Sequence, residues 1–423
     1  MIKVLTAIVV PPHMTASGAV GAAERLSAAL SYYCDVTVAS MMARPIVDTV
    51  TRASVRSWLP VGLSWRGFEN RVRTLFYRSN IPDLVKRGDF DLVHIHNPTP
   101  ALEMLRIAKA CRAAGVPYLV TTHGYNEIAN GHQIYNFNAL KGWIWQRLVY
   151  GPVARVTRNA DAVSILSPAD IEIIRAMGFE GAHFLVPNGL EPPRPVDLAH
   201  ETAAFEKFGI PPARERGVLT CMFLANHTPN KGLPTLLEAF RSLEIPFLLI
   251  VGGEKRSDVD YEEFSRSLKD NQRVIFTGRL TDDEIPVLMR RSDLFVFPTL
   301  ADTLPLVIFE AMSYGLPVIA SRVGGIPYQI DDECGALVSP GDAAELAMWL
   351  TRLSQEPDIL TRMRRETRRR ASSFGSWDDS AKLTMEVYRA VLAQSRTSAA
   401  RSRDAAPVES NVVTLAPVMK KQA

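Results

Sequence analysis

The chain has 423 residues, 47% of them hydrophobic and 22% charged, with a net charge of +3. That length exceeds one ordinary core, so two domains are expected. The small charge excludes a nucleic-acid partner held by charge alone, and no apolar run reaches the roughly 18 residues of a membrane span.

The opening run MIKVLTAIVVPP reads as a first buried strand, because Pro11 and Pro12 follow at once and no small-residue cleavage site is evident. Further strands are expected at 36–39, 91–95, 118–122, 161–166 and 183–186. Helices are expected at 20–32, 101–114, 140–157 and 169–177. This alternation predicts a parallel sheet covered on both faces. Gly18 and Gly21 fall between the first strand and helix, where a loop could bring backbone N–H groups to an anion; a plain tight turn fits equally. The four cysteines, Cys34, Cys111, Cys221 and Cys334, show no metal-ligand or redox spacing, which fits packing in a reducing cytosol.

After the second strand, residues 44–89 turn basic and aromatic. Between residues 52 and 78 there are six Arg and one acid, Glu69, interleaved with Trp58, Leu63, Trp65 and Phe68. Such a segment either lies on an anionic membrane or packs on the sheet beside an Arg-lined cleft. His94 and His96 end the third strand on one face, a pair without an obvious third metal ligand. His123 follows the fourth strand in Thr121-Thr122-His123-Gly124, and ligands of open α/β sheets gather beyond such strand ends. Pro192, Pro193 and Pro195 make a stiff connection, with a hinge at 190–200.

The alternation resumes after an accessory helix at 201–208. Strands are expected at 218–224, 246–251, 273–277, 293–297, 318–320 and 336–338, with helices at 232–243, 259–268 and 282–290. Asn226 to Gly232 leave the first of these strands. Lys231 would sit near a helix N-terminus, where a lysine gains little unless an anion lies between. Gly278 and Arg279 end a later strand as a bare turn. Asp258 and Asp260 form a D-x-D that reads as helix capping, not as a metal site. An Arg-rich helix at 357–373 and an amphipathic helix at 377–392 follow. From about 396 the chain loses periodicity and reads as a disordered tail.

The stretch from Pro298 to Pro327, PTLADTLPLVIFEAMSYGLPVIASRVGGIP, organises the second half. Asp302 and Thr303 are N-cap residue types, and Pro305 suits the first turn of a helix. Residues 306–312 are apolar on nearly every side, so this helix is expected to be buried. Glu310 breaks the pattern, and a buried carboxylate needs partners. Pairing with an Arg would satisfy it; so would a ligand carrying hydroxyls and a phosphate.

This stretch resembles the donor-site signature of glycosyltransferase family 4, retaining enzymes of the GT-B fold. The family has two Glu separated by seven residues, then an EAMACGLPVIAS…GGIPE-type run. Here Asp302 replaces the first Glu, and Tyr328 stands where another Glu is usual. The resemblance implies an α/β fold of two Rossmann-like domains with parallel sheets facing across a cleft. The domains would be residues 1–195, on the acceptor side, and 196–376, on the donor side, with a terminal helix at 377–395 crossing back and a tail at 396–423. It implies transfer of a hexose from a nucleotide-diphosphate sugar to a glycan or lipid-linked acceptor, without a metal or other cofactor, in the cytoplasm or peripheral on the inner membrane face. Glu310 would hold the ribose, Asp302 a sugar hydroxyl and Lys231 the diphosphate. Backbone N–H groups of Thr303, Leu304 and Leu306 would add contacts, but Pro305 has none. Gly18 and Gly21 would face the diphosphate, His123 the transferred sugar, and Gly278 and Arg279 the base. Asn226 stands where the family has an Arg. A nucleotide-sugar epimerase on the same fold and a non-catalytic glycan-binding relative are the alternatives.

Overall fold

The computed structural model describes residues 1–14, 17–42, 44–60, 73–255 and 259–401. The chain divides into two units, Met1–Gly189 together with the chain from Gly375 onward, and Leu190–Phe374.

The first unit is built on strands β1 (Lys3–Ile8), β2 (Asp35–Ser40), β3 (Leu92–His96), β4 (Tyr118–Thr121), β5 (Ala162–Ile165) and β6 (His183–Leu185). They form one parallel sheet in the order β2-β1-β3-β4-β5-β6. β3, β4 and β5 are buried along their whole length, which is why they read as continuous apolar runs. The terminal helix, Trp377–Arg401, packs on the Gly18–Leu30 helix in this unit. Tyr33 donates to Asp378 at 2.6 Å, and Ser380 donates to the carbonyl of Pro187 at 2.8 Å. The helix continues past residue 396, where a disordered tail was expected; 402–423 lie outside the described residues. Helix 125–134 was not expected: it opens on Gly124 in the left-handed region with no side-chain cap, so it carries no start signal.

The basic segment starts as packing. Glu24 is fully buried and accepts the backbone N–H of Ile46 at 2.7 Å and of Val47 at 2.9 Å, and the Arg52 guanidinium at 2.9 and 3.0 Å. Residues 61–72, the centre of the membrane expectation, lie outside the described residues.

The second unit carries β7 (Leu219–Leu224), β8 (Phe247–Gly252), β9 (Gln272–Gly278), β10 (Leu294–Phe297), β11 (Val318–Ser321) and β12 (Gly335–Val338). Their order is β9-β8-β7-β10-β11-β12, again all parallel. The strand order reverses between β7 and β10. The loops leaving the carboxyl ends of those two strands stand at this reversal, the usual ligand position of a doubly wound sheet. Asp260 caps helix 261–266, accepting the N–H groups of Glu262 and Glu263 at 3.0 Å, as expected of a capping residue; Asp258 lies outside the described residues.

Candidate active site

The candidate site of the second unit is built from the loop after β7 and the loop after β10. They are laced together. Leu300 N–H donates to the carbonyl of Asn230 at 2.7 Å, and Asn230 Nδ2 donates to the carbonyl of Ala301 at 3.5 Å. Gly232, at φ 72°, allows the approach: a Cβ there would lie 1.7 Å from the carbonyl oxygen of Pro298. An alanine could not be accommodated without separating the loops.

This lacing brings Lys231 onto Asp302. The Lys231 ammonium lies 2.8 and 2.9 Å from the two carboxylate oxygens of Asp302, and Thr299 Oγ1 lies 2.7 Å from Asp302 Oδ2. Both charged side chains are largely buried, at 23% and 16% exposure, so the pair is shielded from bulk solvent. Thr299 is a site residue the sequence reading missed, since nothing local distinguishes it.

Asp302 and Thr303 do not cap the following helix. It spans Leu306–Ser313, its N-cap is Pro305, and no side chain caps it. Proline's fixed φ ends the loop before an N-cap carboxylate could be used. The loop is instead held from behind by the GGIP run: Gly325 N–H donates to the carbonyl of Thr303 at 2.6 Å, and the buried Gln329 Nε2 donates to that of Pro305 at 3.0 Å. Thr303, Leu304 and Pro305 are buried by this clamp, with Leu306 half-buried beyond them.

Glu310 is exposed, not buried, which corrects the expectation. The buried face of its helix is Ile308, Phe309, Ala311 and Met312. The helix is apolar on several sides, but one side still faces outward, and Glu310 takes it. Arg194 lies within its electrostatic reach. Burial works against the Arg194 guanidinium, but Asp282, Glu191 and Glu310 together raise its pKa.

Asn226 is half-buried in the turn after β7, and its carbonyl accepts the N–H of Thr228 at 2.7 Å. Gly278, at φ 67°, ends β9, and Arg279 beside it is exposed. β9 is the sheet edge two strands from β7, so the two strand axes lie about 10 Å apart. His227 was not singled out in the sequence. It is buried, hydrogen-bonds Tyr261 through Nδ1 and lies 3.3 Å from the carbonyl of Gly252 through Nε2.

In the first unit, Gly18 and Gly21 are not in a loop. The helix begins at Gly18, and Ser17 is the N-cap, so both glycines lie in its first two turns. The Ser17 cap overrides the glycines' weak helix propensity. His123 lies just beyond β4, buried, with its ring 5.6 Å from that of His96. The His96 ring in turn lies 3.9 Å from that of His94, tilted by 37°. His94 is fixed at both nitrogens, 2.9 Å from the Tyr388 hydroxyl and 2.6 Å from Thr121 Oγ1. Burial pushes His94 down to about 3 and His123 to about 4, so both imidazoles are neutral at pH 7. Thr122 donates to Asp170, whose buried carboxyl is pushed up to about 6. Among the described residues no group of three His, Cys, Asp or Glu could hold a metal ion.

The model of glycosyl transferases group 1 matches residues 219–356, and that of glycosyltransferase family 4 matches residues 17–194. A curated relative, the MMP alpha-(1->4)-mannosyltransferase of Mycolicibacterium hassiacum, is 30% identical over 324 residues, covering 73% of this chain and 72% of that protein. The chain belongs to glycosyltransferase family 4. A second relative, the 2-deoxystreptamine glucosyltransferase of Streptomyces kanamyceticus, is 27% identical over 323 residues, covering 74% of this chain and 81% of that protein. Among solved structures, Anabaena HepE in complex with UDP-glucose superposes with a TM-score of 0.67 at 16% identity, covering 94% of this chain and 100% of that one. The fold is GT-B. As a family 4 hexosyltransferase, the chain transfers sugar from a nucleotide sugar. No helix among the described residues is long and apolar enough to cross a membrane.

Proposed function

We propose that this chain transfers a hexose, with retention at the anomeric carbon, from a nucleoside-diphosphate sugar to a hydroxyl of a glycan or lipid-linked acceptor. The observation that carries the reading is the Lys231–Asp302 pair, set at the strand-order reversal of the second unit before a helix without a side-chain cap. A helix start favours an anion. An ammonium has three donors, so Lys231 can stay on Asp302 and still reach a phosphate oxygen. A carboxylate accepts several hydrogen bonds at once, so holding Lys231 and receiving a sugar hydroxyl are compatible roles for Asp302. Glu310, facing outward, would take the ribose hydroxyls. The N–H groups of Thr303, Leu304 and Leu306 would meet the diphosphate and sugar. Gly278 and Arg279 would border the base, and Asn226 the diphosphate loop. In the first unit the Gly18–Gly21 helix start would face phosphate, and neutral His123 would hydrogen-bond the sugar.

In the reaction the bond between the anomeric carbon and the diphosphate oxygen breaks, and the acceptor oxygen bonds to that carbon on the same face. The acceptor proton passes to the leaving diphosphate. The protein positions the groups and stabilises the charge that develops. Residues 52–78 are a candidate for meeting an anionic membrane beside a lipid-linked acceptor. A thermal-shift panel of UDP, GDP and ADP sugars identifies the donor, because a ligand bound only to the folded state raises the unfolding midpoint. Product NMR then reads the anomeric configuration; inversion would overturn the reading.

Asp302 gives a sharper test. Asp is one methylene shorter than Glu, a difference of about 1.5 Å, and misplacement on that scale can cost about a hundredfold in rate. Here the Thr299 hydroxyl and the Lys231 ammonium meet the shorter side chain. Asp302→Asn is expected to lower turnover more than nucleotide affinity. Asp302→Glu is expected to crowd Lys231 and slow transfer while nucleotide still binds. Full turnover in Asp302→Asn would remove Asp302 from the site.

A further inference from the structure

A feature of the first unit does not belong to the donor loops. Helix Ala139–Trp145 has no buried residue. Leu140 and Trp143, three apart and therefore on one face, are 66% and 63% exposed. Elsewhere among the described residues, large exposed apolar side chains stand singly along the sequence. The helix is nevertheless firmly mounted. Asn138 caps it, accepting the N–H of Lys141 at 2.9 Å. Trp145 Nε1 donates to the carbonyl of Ile128 at 3.1 Å, and its ring packs 5.4 Å from Phe137. The chain then runs through a π-turn, Gln146–Tyr150, into helix Gly151–Arg158, which is anchored by the buried Pro152, Val153, Ala154 and Val156. Leu140 and Trp143 thus stand out on a rigid post.

The charge around them has one sign. From Ile128 to Ala160 the chain has no Asp or Glu but has Lys141, Arg147, Arg155 and Arg158. All four cations are exposed. Arg147 lies one turn beyond Trp143, on the same side as Leu140. The nearest flanking acids, Glu127 and Asp161, are engaged: Glu127 accepts from Tyr135, and Asp161 accepts the N–H of Tyr118 at 2.8 Å. An indole and a leucine projecting from a chain segment with exposed cations and no acid match an anionic lipid interface, where a Trp ring sits at headgroup depth and Lys and Arg meet lipid phosphates.

We propose that the Ala139–Trp145 helix is a membrane-docking face for anionic phospholipid, with Leu140 and Trp143 inserted and Lys141 and Arg147 on the headgroups. This face is distinct from residues 52–78 and does not depend on the transfer reaction. The test is co-sedimentation of the full chain with phosphatidylglycerol-containing vesicles and with pure phosphatidylcholine vesicles. The parent should sediment with the anionic vesicles only. Leu140→Ser with Trp143→Ser, and separately Lys141→Glu with Arg147→Glu, should each weaken that partition about tenfold or more. Nucleoside-diphosphate binding, measured in parallel, should be unchanged and shows that each variant is folded. Three results would overturn the proposal. One is equal sedimentation of parent and variants, including loss only on charge reversal at Arg71 and Arg73. Another is equal binding to neutral and anionic vesicles. The third is parent dimerisation in light scattering that the serine variant abolishes, which would make a second copy the occupant.

Discussion

Lys231→Ala should weaken nucleoside-diphosphate binding by about tenfold to a hundredfold, the equivalent of losing one charge-assisted hydrogen bond of about 1.5–3 kcal/mol. The geometry gives the loss a second source. Lys231 holds Asp302 at 2.8 Å, so its removal leaves a largely buried carboxylate beside the incoming phosphates. Like charges so close repel, and one partner of a shielded pair is costly to strand. The two sources separate in a double-mutant cycle. Asp302→Asn in the Lys231→Ala background should recover part of the affinity, because it removes the stranded charge. Calorimetry of all four proteins reads the cycle. Unchanged affinity in Lys231→Ala would show that Lys231 does not hold the diphosphate. No recovery in the double variant would show that the stranded Asp302 charge contributes nothing.

The second large effect is on stability. Below about pH 6.5 the unfolded chain protonates its histidines. In the folded first unit three of them resist this: burial holds His94 at about 3, His123 at about 4 and His96 well below its ordinary value. A depressed histidine pKa contributes stability above the unfolded value, and that stability is lost as pH falls toward the folded value. Near pH 5 the unfolded state therefore binds about two more protons at His94 and His123, and His96 acts in the same sense. Asp170 opposes them, because its carboxyl, raised to about 6, keeps a proton in the folded state that the unfolded state has released. The buried Glu103 and Asp161, also raised by burial, act in the same sense as Asp170. Set against Asp170, His94 and His123 leave about one proton, a slope of about 1.4 kcal/mol per pH unit around pH 5. The thermal midpoint of the first unit should fall from pH 6.5 to 4.5. His123→Gln should make that fall shallower by about one proton. A flat profile, or an unchanged slope in His123→Gln, would contradict the burial of these rings as neutral imidazoles.

Both sheets were legible because buried parallel strands are apolar runs of limited length, and Pro or Gly ends most of them. β7 through β12 each fall within a residue or two of their expected positions. Helix ends were less legible. The terminal helix runs on through Ser, Thr and Ala, which carry no apolar period but do not break a helix. Ser17, not a glycine, sets the start of the first helix. The candidate site was legible as residue types but not as pairings. Lys231 and Asp302 lie 71 residues apart, and only the strand-order reversal puts their loops side by side. Thr299 and Gln329 gave no local signal, because their partners are a distant carboxylate and a backbone carbonyl. Glu310 was read as buried from an apolar helix whose outward side the sequence could not identify.

The central claim is that the donor is bound by the two loops leaving β7 and β10. Hydrogen–deuterium exchange of the full chain, with and without the nucleotide sugar that gives the largest thermal shift, tests it most directly. The account predicts slowed exchange at residues 226–233 and 299–308, at amides other than those of the prolines. Protection that leaves both loops unchanged would contradict it.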